Sequence, residues 1–264
     1  MLSKESLEID APKFVNEAVD FLRGQLKASE QDGVIVSVSG GLDSSVTLAL
    51  CVRALGCGRV VALNMPEAGV TPDEDVRDAV GLAEEFNVRC DIIEITPVIN
   101  VMRAILPLYH PDNLIPTGNL KPRIRMMIAY HYANSLRSLV VGSSNKTELL
   151  LGYFTKYGDG ASDILPIGDL YKTQVRQLAA YLGIPSRIID KVPSARLWPG
   201  QTSEGELGMR FEELDLILYG WEIGLKPPEI AAELNIGLDR VEGVLRRVRL
   251  NEHKRRPPII LKLT

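Results

Sequence analysis

The stretch SGGLDS, residues 39–44, follows a short apolar run, VIVSV at residues 34–38, and precedes the apolar segment of residues 45–50. The run before it predicts a buried strand, and the segment after it predicts a helix. Two adjacent glycines let the backbone approach a phosphate chain, and the unpaired N–H groups at a helix start attract anions. Serine hydroxyls add donors, and the Asp43 carboxylate adds a ligand suited to Mg²⁺. The stretch therefore predicts a strand–loop–helix unit that binds phosphate.

The predicted phosphate-binding loop is neither a Walker loop nor a dinucleotide-binding loop. The chain contains neither a GxxxxGK[ST] Walker motif nor a GxGxxG dinucleotide fingerprint. SGGLDS instead resembles the pyrophosphate loop of ATP pyrophosphatases. That resemblance implies cleavage of ATP between its α- and β-phosphates and transfer of AMP to an oxygen. The alternative is an ordinary Gly-Gly turn before a capped helix, which this motif alone leaves open.

Bulk composition is that of an ordinary globular chain, with 45% apolar and 24% charged residues among 264. The length suffices for a full core, and we expect one domain over residues 1–264 with a helical C-terminal extension from about residue 205 to 264. A net charge of −4 gives no general attraction for nucleic acid. No apolar run approaches the roughly 20 residues that span a membrane, and the first residues lack an apolar signal core.

The cysteines predict no metal site. Cys51, Cys57 and Cys90 cannot all pair with one another and form no CxxC spacing. They are expected to be core or surface thiols of a reducing compartment, and the predicted location is therefore cytoplasmic.

Strand and helix patterns alternate along the first two thirds of the chain. Strands are predicted at residues 34–38, 59–65, 90–95 and 138–142, with a possible short fifth at 164–165. Helices are predicted at 11–28, from a Thr71 cap to about 86, and at 97–106, 120–137 and 171–182. Further helices are predicted at 211–219, 227–234 and 238–250. The alternation predicts an α/β fold, a doubly wound parallel sheet of about five strands with helices on both faces. Ligands bind such sheets beyond the carboxyl ends of the strands.

A second polar cluster, GSSNKTE at residues 142–148, follows the fourth predicted strand. Glu148 lies at a helix start, where an acid is favourable even without a function. The functional interpretation makes Glu148 a second Mg²⁺ ligand opposite Asp43, since Mg²⁺ commonly takes one or two carboxylates plus phosphate oxygens. The Gly-rich stretch GYFTKYGDG at residues 152–160 then combines lysine, aspartate and aromatic residues in a loop. Such a loop is either functional or a solvated turn.

These segments together resemble ammonia-dependent NAD synthetases, within the ATP pyrophosphatases. The resemblance rests on GSSNKTELLLGYFTKYGDGASDILPIGDLYKTQV, VPSARLWPGQTSEGELG, GNLKPRIRM and the pair His253-Lys254, and it extends from about residue 33 to 257. It implies an adenine nucleotide α-hydrolase-like fold. It also implies a C–N bond-forming ligase that converts nicotinic acid adenine dinucleotide (deamido-NAD) to NAD with ATP, Mg²⁺ and ammonia. The carboxylate would be adenylated with release of pyrophosphate, and ammonia would then displace AMP.

The resemblance also implies roles for individual residues. Asp43 and Glu148 would hold Mg²⁺; Asp43, Lys172 and Asp159 would be catalytic; Arg123, Lys156, Asp163, His253 and Lys254 would bind deamido-NAD. The residues implied in ATP binding are Ser37, Val38, Ser39, Gly40, Gly41, Leu42, Asp43, Ser44, Ser143, Lys172 and Ser194. Lys172 would stabilise the transferring phosphate, although an exposed helical lysine is the ordinary alternative. Asp159 would position or deprotonate ammonium, for which an exposed aspartate with a pKa near 4 is a weak base.

Three departures from the family pattern carry expectations of their own. Ser143 and Ser194 stand where the family usually has threonine, and the hydroxyl is kept. Some relatives have an arginine near the second-strand proline, where this chain has Leu63-Asn64-Met65-Pro66, so a contact on the adenine side is missing from the pattern. Pro122 replaces alanine between Lys121 and Arg123. Because proline disfavours helical geometry in the residue before it, we expect the helix to begin at Pro122.

Partners follow from length and resemblance. About 32 residues precede the first predicted strand, too few for an amidase domain, so free ammonia is the expected donor and a separate amidase subunit is not expected. The resemblance implies a homodimer, and neither a nucleic acid nor a membrane partner is expected. The rival hypotheses are another ATP pyrophosphatase, such as a GMP synthetase subunit or a tRNA-modifying thiolase, and a non-catalytic adenine-nucleotide sensor.

Overall fold

The computed structural model describes residues 2–263, and a parallel sheet lies at its centre. The strands are β1 (Gly33–Ser37), β2 (Val60–Asn64), β3 (Arg89–Ile92) and β4 (Ser138–Val141), in the order β3-β2-β1-β4. All three neighbouring pairs are parallel. The chain adds β2 and β3 on one side of β1 and returns to add β4 on the other. This reversal opens a crevice at the carboxyl ends of β1 and β4.

Helices cover both faces of the sheet. The helices are α1 (Ala11–Ala28), α2 (Leu42–Leu55), α3 (Asp73–Glu85), α4 (Thr96–Ile105), α5 (Leu114–Ser135), α6 (Lys146–Leu151), α7 (Lys172–Tyr181), α8 (Ser186–Ile189), α9 (Ser203–Leu207), α10 (Phe211–Glu222), α11 (Pro227–Leu234) and α12 (Leu238–Leu250). Val34 and Val36 of β1 pack with α1, α2, α3 and α7, whereas Ile35 packs with α4 and α5. Successive strand side chains point to opposite faces, so the apolar run of β1 supplies both layers of core. The predicted doubly wound α/β fold is confirmed.

The C-terminal helices form a second core beside the first. Phe211, Leu214 and Leu218 of α10 pack with residues of α11 and α12, and with Leu151 at the end of α6. Leu2 and Leu7 of the N-terminal segment join this core. The predicted C-terminal helices therefore lie against the part of the sheet domain that carries α6 and α7. Within residues 2–263, no helix is both long and apolar enough to cross a membrane.

The sheet has four strands where about five were expected. Ile164 makes only an isolated bridge to Val141, with Gly142 N donating to Ile164 O at 2.9 Å. Pro166 follows two residues later and has no N–H with which to extend a ladder, so the chain turns away.

Several element boundaries also differ from the expectations, among them those of β3, α3 and α5. The predicted strand at 90–95 is β3, one residue earlier at its start and ending at Ile92. The Thr71 hydroxyl accepts from Glu67 N at 2.9 Å and closes the preceding turn, so Pro72 takes the N-cap position of α3. The expectation that a helix begins at Pro122 is wrong, because α5 starts at Leu114 and Pro122 lies inside it.

Tertiary contacts explain how α5 continues through a proline. The carbonyl of Gly118, four residues before Pro122, has no helical hydrogen-bond donor because proline lacks an N–H. Gly118 itself packs closely against Leu197 and Trp198, since a Cβ added to it would lie 3.2 Å from each of these side chains. Lys121 is buried in an ion pair with Glu67 at 2.5 Å and also donates to Leu197 O. These contacts hold the first turns of α5 in helical geometry against the local preference.

Candidate functional site

A cleft of about 490 Å³ lies beyond the carboxyl ends of β1 and β4. Its walls come from the SGGLDS loop, the segment after β4, the starts of α6 and α7, and residues 191–198. Polar groups converge there from parts of the chain more than 100 residues apart. This is the position that the strand order predicts for a ligand.

The SGGLDS loop is held by its own hydroxyl groups. Ser39 Oγ lies 3.1 Å from Ser44 Oγ, and Ser44 Oγ lies 3.1 Å from Gly41 O, to which it donates. Ser45 Oγ also donates to Gly41 O, at 2.8 Å. Gly41 caps α2 without a side-chain hydrogen bond, so the N–H groups of the first turn stay available to an anion. Every residue predicted to bind ATP in this loop and before it lines the cleft except Gly40.

Gly40 serves close packing. Its φ is +75°, and a Cβ there would lie 2.1 Å from Asp75 O. Lys191 Nζ donates to the Gly40 carbonyl at 3.0 Å, so the loop is fastened to α3 and to the segment after α8. Only a glycine permits this approach.

Gly40→Ala is accordingly expected to lower the free energy of unfolding by more than about 2 kcal/mol, since positive φ and a backbone clash act together. Gly56→Ala is the matched control, because Gly56 has a φ of +80° but no atom within 4 Å of an added Cβ. Urea denaturation of both variants would measure the difference. Equal losses would show that the contact with Asp75 contributes nothing.

The centre of the cleft holds one cation between two acids. Lys172 Nζ donates to Asp43 Oδ2 and lies 3.7 Å from Glu148 Oε1. Asn145 holds both acids in place: its Nδ2 donates to Asp43 Oδ1 at 2.9 Å, and its N donates to Glu148 Oε2 at 3.3 Å. The Asn145 side chain also accepts from Glu148 N at 3.0 Å and caps α6. The structure thus brings the two predicted metal ligands to the predicted lysine.

Burial and mutual repulsion shape the charges here. Burial, and then the nearby Asp43 carboxylate, raise the pKa of Glu148 to about 8. For Lys172, burial disfavours the ammonium, but the Asp43 and Glu148 carboxylates outweigh it and raise the pKa above its usual value. Lys172 therefore stays charged, and it is not the exposed helical lysine that a single sequence would suggest, since its side chain is only 6% exposed.

One side of the cleft is formed by residues 190–201, which we call the strap. Ser194, predicted to contact ATP, lines the cleft, and its hydroxyl donates to Gln201 O at 2.6 Å. Lys191 pairs with Asp75 at 2.7 Å and with Asp78 at 2.6 Å, while Arg196 pairs with Asp75 at 2.9 Å. The strap is therefore fixed to α3 by charge and to α5 through Lys121.

Asp159 lies in the same cleft, in the loop that follows α6. Its Oδ1 accepts from Thr155 N at 2.8 Å. Although the residue is open to the cleft, the surrounding protein desolvates the carboxyl and raises its pKa above the usual value. The sequence suggested an exposed aspartate with an ordinary pKa. The raised pKa makes the Asp159 carboxylate a stronger base than such an aspartate.

Four of the five predicted dinucleotide residues form a chain across the neighbouring surface. Arg123 donates to Lys156 O at 3.2 Å, Lys156 Nζ donates to His253 O at 2.7 Å, and Lys254 Nζ donates to Gly152 O at 2.8 Å. Lys254 also lines the cleft. We call Arg123, Lys156, His253 and Lys254 the basic cluster. It concentrates positive charge beside the cleft in a protein whose net charge is negative.

Asp163 lies apart from the cleft lining. Its Oδ2 accepts from Val140 N at 2.7 Å and its Oδ1 accepts from the Tyr130 hydroxyl at 3.2 Å. These contacts tie α5 to β4.

Several cleft residues were not predicted from the sequence. They are Arg125, Lys191 and Arg196, and Asn145, which holds Asp43 and Glu148 from outside the cleft lining, was not predicted either. Arg125 donates to Met65 O at 2.9 Å and, two positions after Arg123 on α5, points to the other side of the helix. Its place in the quoted GNLKPRIRM stretch was an available signal. Lys191 lies one residue before the quoted VPSARL segment, and no signal in the sequence pairs it with α3.

Comparison with known proteins agrees with this geometry. The sequence model of the family described as "NAD synthase" matches residues 14–258. The NH(3)-dependent NAD(+) synthetase of Archaeoglobus fulgidus is 48% identical over 251 residues, which cover 95% of this chain and 97% of that one. Two solved structures, an NMN synthetase from Francisella tularensis and an NH3-dependent NAD synthetase from Campylobacter jejuni in complex with nitrate, have TM-scores of 0.83 and 0.81. Each is 32% identical and covers 97% of this chain and 100% of its own. The chain belongs to the NAD synthase family.

Proposed function

We propose that this protein is an ammonia-dependent NAD synthetase, a ligase that amidates deamido-NAD at the expense of ATP. The observation that carries the proposal is the Asp43–Lys172–Glu148 arrangement beside the SGGLDS loop. A nucleotide sensor does not need a buried cation between two acids at a phosphate-binding loop. An adenylating enzyme does, since charge moves onto the leaving pyrophosphate.

The SGGLDS loop binds the triphosphate. Ser39 and Ser44 present hydroxyls, and the first turn of α2 presents N–H groups and the positive end of its dipole. Ser143 and Ser194 line the cleft on either side and are proposed to contact the nucleotide. The strap closes the far wall through Lys121, Lys191 and Arg196.

The donor set fits Mg²⁺. Asp43 and Glu148 share Lys172 as a cation, and burial together with the Asp43 carboxylate raises the pKa of Glu148, so a further cation beside it would favour its charged form. Mg²⁺ commonly takes one or two carboxylates and completes its shell with phosphate oxygens and water. Asp43 and Glu148 would hold the ion, which when bound would neutralise phosphate charge and orient the triphosphate.

The reaction is proposed to run in two displacements. A carboxylate oxygen of deamido-NAD attacks the α-phosphorus, the bond to the bridging oxygen breaks, and pyrophosphate leaves. Ammonia then attacks the adenylated carbonyl carbon, the C–O bond breaks, and AMP leaves. Lys172 stabilises the negative charge that develops in the first step. Asp159 accepts hydrogen bonds or a proton from the amine, and its raised pKa favours this role.

The basic cluster is proposed to bind the dinucleotide. Its cations suit the pyrophosphate and carboxylate of deamido-NAD, which carry the charges of that substrate. Asp163 lies outside the cleft lining, so its proposed effect on the dinucleotide is indirect, through its hydrogen bonds to Tyr130 and to β4.

A homodimer is proposed as well. Exposed apolar side chains lie on α4 and α5, including Val101 at 57%, Ile105 at 62% and Met127 at 56% exposed. Exposed apolar side chains on these two helices support a protein interface. We also propose one domain over residues 1–264, supported by the packing of α10 and α12 on α6. A cytoplasmic location is supported by the three free cysteines.

The test is an assay with ATP, Mg²⁺, ammonium and deamido-NAD that follows NAD and AMP together. Equal amounts of NAD and AMP are expected. AMP without NAD would contradict free ammonia as the donor, and a parallel reaction with glutamine would then test for an amidase partner. Neither product, with ATP still bound, would contradict the synthetase proposal and favour a sensor.

The solved NMN synthetase supplies a second candidate acceptor, because it resembles this chain as closely as the NAD synthetase does. The same assay with nicotinic acid mononucleotide in place of deamido-NAD separates the two. The basic cluster favours the dinucleotide, which carries more phosphate. A higher kcat/KM for the mononucleotide would assign the amidation to that acceptor.

A further inference from the structure

A buried carboxylate outside the cleft lining connects two of the site elements from behind. Asp215 of α10 is 0% exposed. Its Oδ1 accepts from the Thr147 hydroxyl at 2.5 Å, and its Oδ2 accepts from Thr173 N at 2.8 Å. Thr147 precedes Glu148 on α6, and Thr173 follows Lys172 on α7. One carboxylate thus holds the neighbours of both residues.

The Thr147 hydroxyl completes a relay. It donates to Asp215 and accepts from Lys172 N at 3.0 Å. The first two N–H groups of α7 are therefore satisfied by this pair, and an acid at that end of the helix complements its dipole. Because the hydrogen bond to Thr147 fixes the backbone of Lys172, the long side chain of Lys172 extends towards Asp43 from a fixed position.

Helix α10, which carries Asp215, also contacts the ammonium group of Lys172. Phe211 lies one turn before Asp215 on α10, and Lys172 Nζ lies 5.4 Å from the centre of its ring. Two residues of α10 thus act on Lys172: Asp215 through Thr147 and Thr173, and Phe211 at the charged end. The C-terminal core fixes the position of α10, since Phe211, Leu214 and Leu218 are buried there.

We propose that Asp215 is a positioning residue for the reaction, which through Thr147 and Thr173 sets Lys172 and Glu148 at the spacing that charge transfer to pyrophosphate requires. The Thr147 hydroxyl and Thr173 N offset the cost of burying the Asp215 carboxylate, so the acid is matched to these two groups beside Glu148 and Lys172. The proposal rests on the proposed function of Lys172.

The main test compares Asp215→Asn with wild type at saturating deamido-NAD and ammonium. The asparagine keeps the size and can accept at one atom only. We expect kcat to fall by about tenfold or more, with the KM for ATP within about twofold, because the loop that binds ATP is untouched and a small misplacement of Lys172 acts on the transition state. A kcat within twofold of wild type would overturn the proposal.

Thr147→Val and Thr147→Ser keep the proposal testable if Asp215→Asn fails to fold. The serine keeps the relay hydroxyl and is expected to retain kcat within about threefold, whereas the valine is expected to lose about tenfold. Equal kcat values for the two variants would overturn the proposal.

Glu222→Gln is the control for stability alone. Glu222 lies on the same helix and accepts from the Tyr171 hydroxyl and from Lys146 at 3.1 Å, away from the cleft lining. It is expected to lower the melting temperature while kcat stays near that of wild type. A fall in kcat equal to that of Asp215→Asn at the same loss of melting temperature would reduce Asp215 to a structural residue. An inactive wild type would instead contradict the proposed function itself.

Discussion

Replacement of Lys172 by methionine is expected to lower kcat by about 10²–10³-fold, the usual cost of removing one preorganised group from a developing negative charge. Methionine keeps the unbranched shape and the apolar contact with Phe211 but removes the ammonium. Lys172 is buried and aimed at Asp43 and Glu148, so its replacement removes the cation that both carboxylates share. Initial rates of AMP formation over a range of ATP concentrations would measure the loss.

Lys146→Met is the matched control for that substitution. Lys146 also pairs with two carboxylates, Asp169 and Glu222, and also lies over an aromatic ring, that of Tyr171 at 5.1 Å. It does not line the cleft. Its loss is expected to lower the melting temperature with kcat within about threefold of wild type, since surface ion pairs contribute about 1 kcal/mol or less. If Lys172→Met also kept a third of the wild-type kcat, Lys172 would have no catalytic role.

Glu148→Gln is expected to lower activity but to reduce the loss of stability that the metal-free protein suffers at high pH. Activity should fall by about 10²-fold or more, because several kcal/mol of charge stabilisation depend on the metal ligand. Stability should follow the titration of Glu148, whose pKa is about 8 in the folded protein against an ordinary value of 4.5. The folded state holds a proton that the unfolded chain releases between these values. The contribution to stability is therefore complete below about pH 4.5 and is lost as the pH rises towards 8.

Melting curves at pH 6 and pH 9, with EDTA or with Mg²⁺, would check this prediction. Wild type in EDTA should lose melting temperature between the two pH values, and Glu148→Gln should lose less. Mg²⁺ should stabilise wild type at pH 9, because it binds the ionised carboxylates, and should stabilise the glutamine variant less. Parallel pH dependence of the two proteins in EDTA would contradict the assignment of the raised pKa to Glu148.

The SGGLDS loop is the part of the cleft whose local structure the sequence predicted. Its glycines, serines and aspartate follow one another directly, and the strand and helix around it are set by short-range periodicity. Glu148 was predicted for a similar reason, since it lies at the start of a short capped helix directly after a strand. Local chemistry is sufficient where all the participating groups come from one turn of chain.

Residues whose partners lie far along the chain were not predicted in the same way. Nothing local to Asp215 distinguishes it from the acids beside it on α10, and its role depends on Thr147, 68 residues earlier. Lys191 pairs with Asp75, 116 residues earlier. The continuation of α5 through Pro122 likewise depends on Glu67 and Leu197, which no local propensity includes.

The sequence by itself determined the α/β class, the loop that lines the cleft and the residue types proposed to bind phosphate and metal, because hydrophobic periodicity and helix-start chemistry act over a few residues. Tertiary structure alone decided which carboxylates share Lys172, how far their charges perturb one another, and which buried acid holds them from behind. Those properties depend on distances of a few ångströms between separate elements, and burial strengthens every electrostatic interaction across them. The position of α10 behind α6 and α7, set by packing of the C-terminal core, is what turns a phosphate loop into the proposed catalytic site.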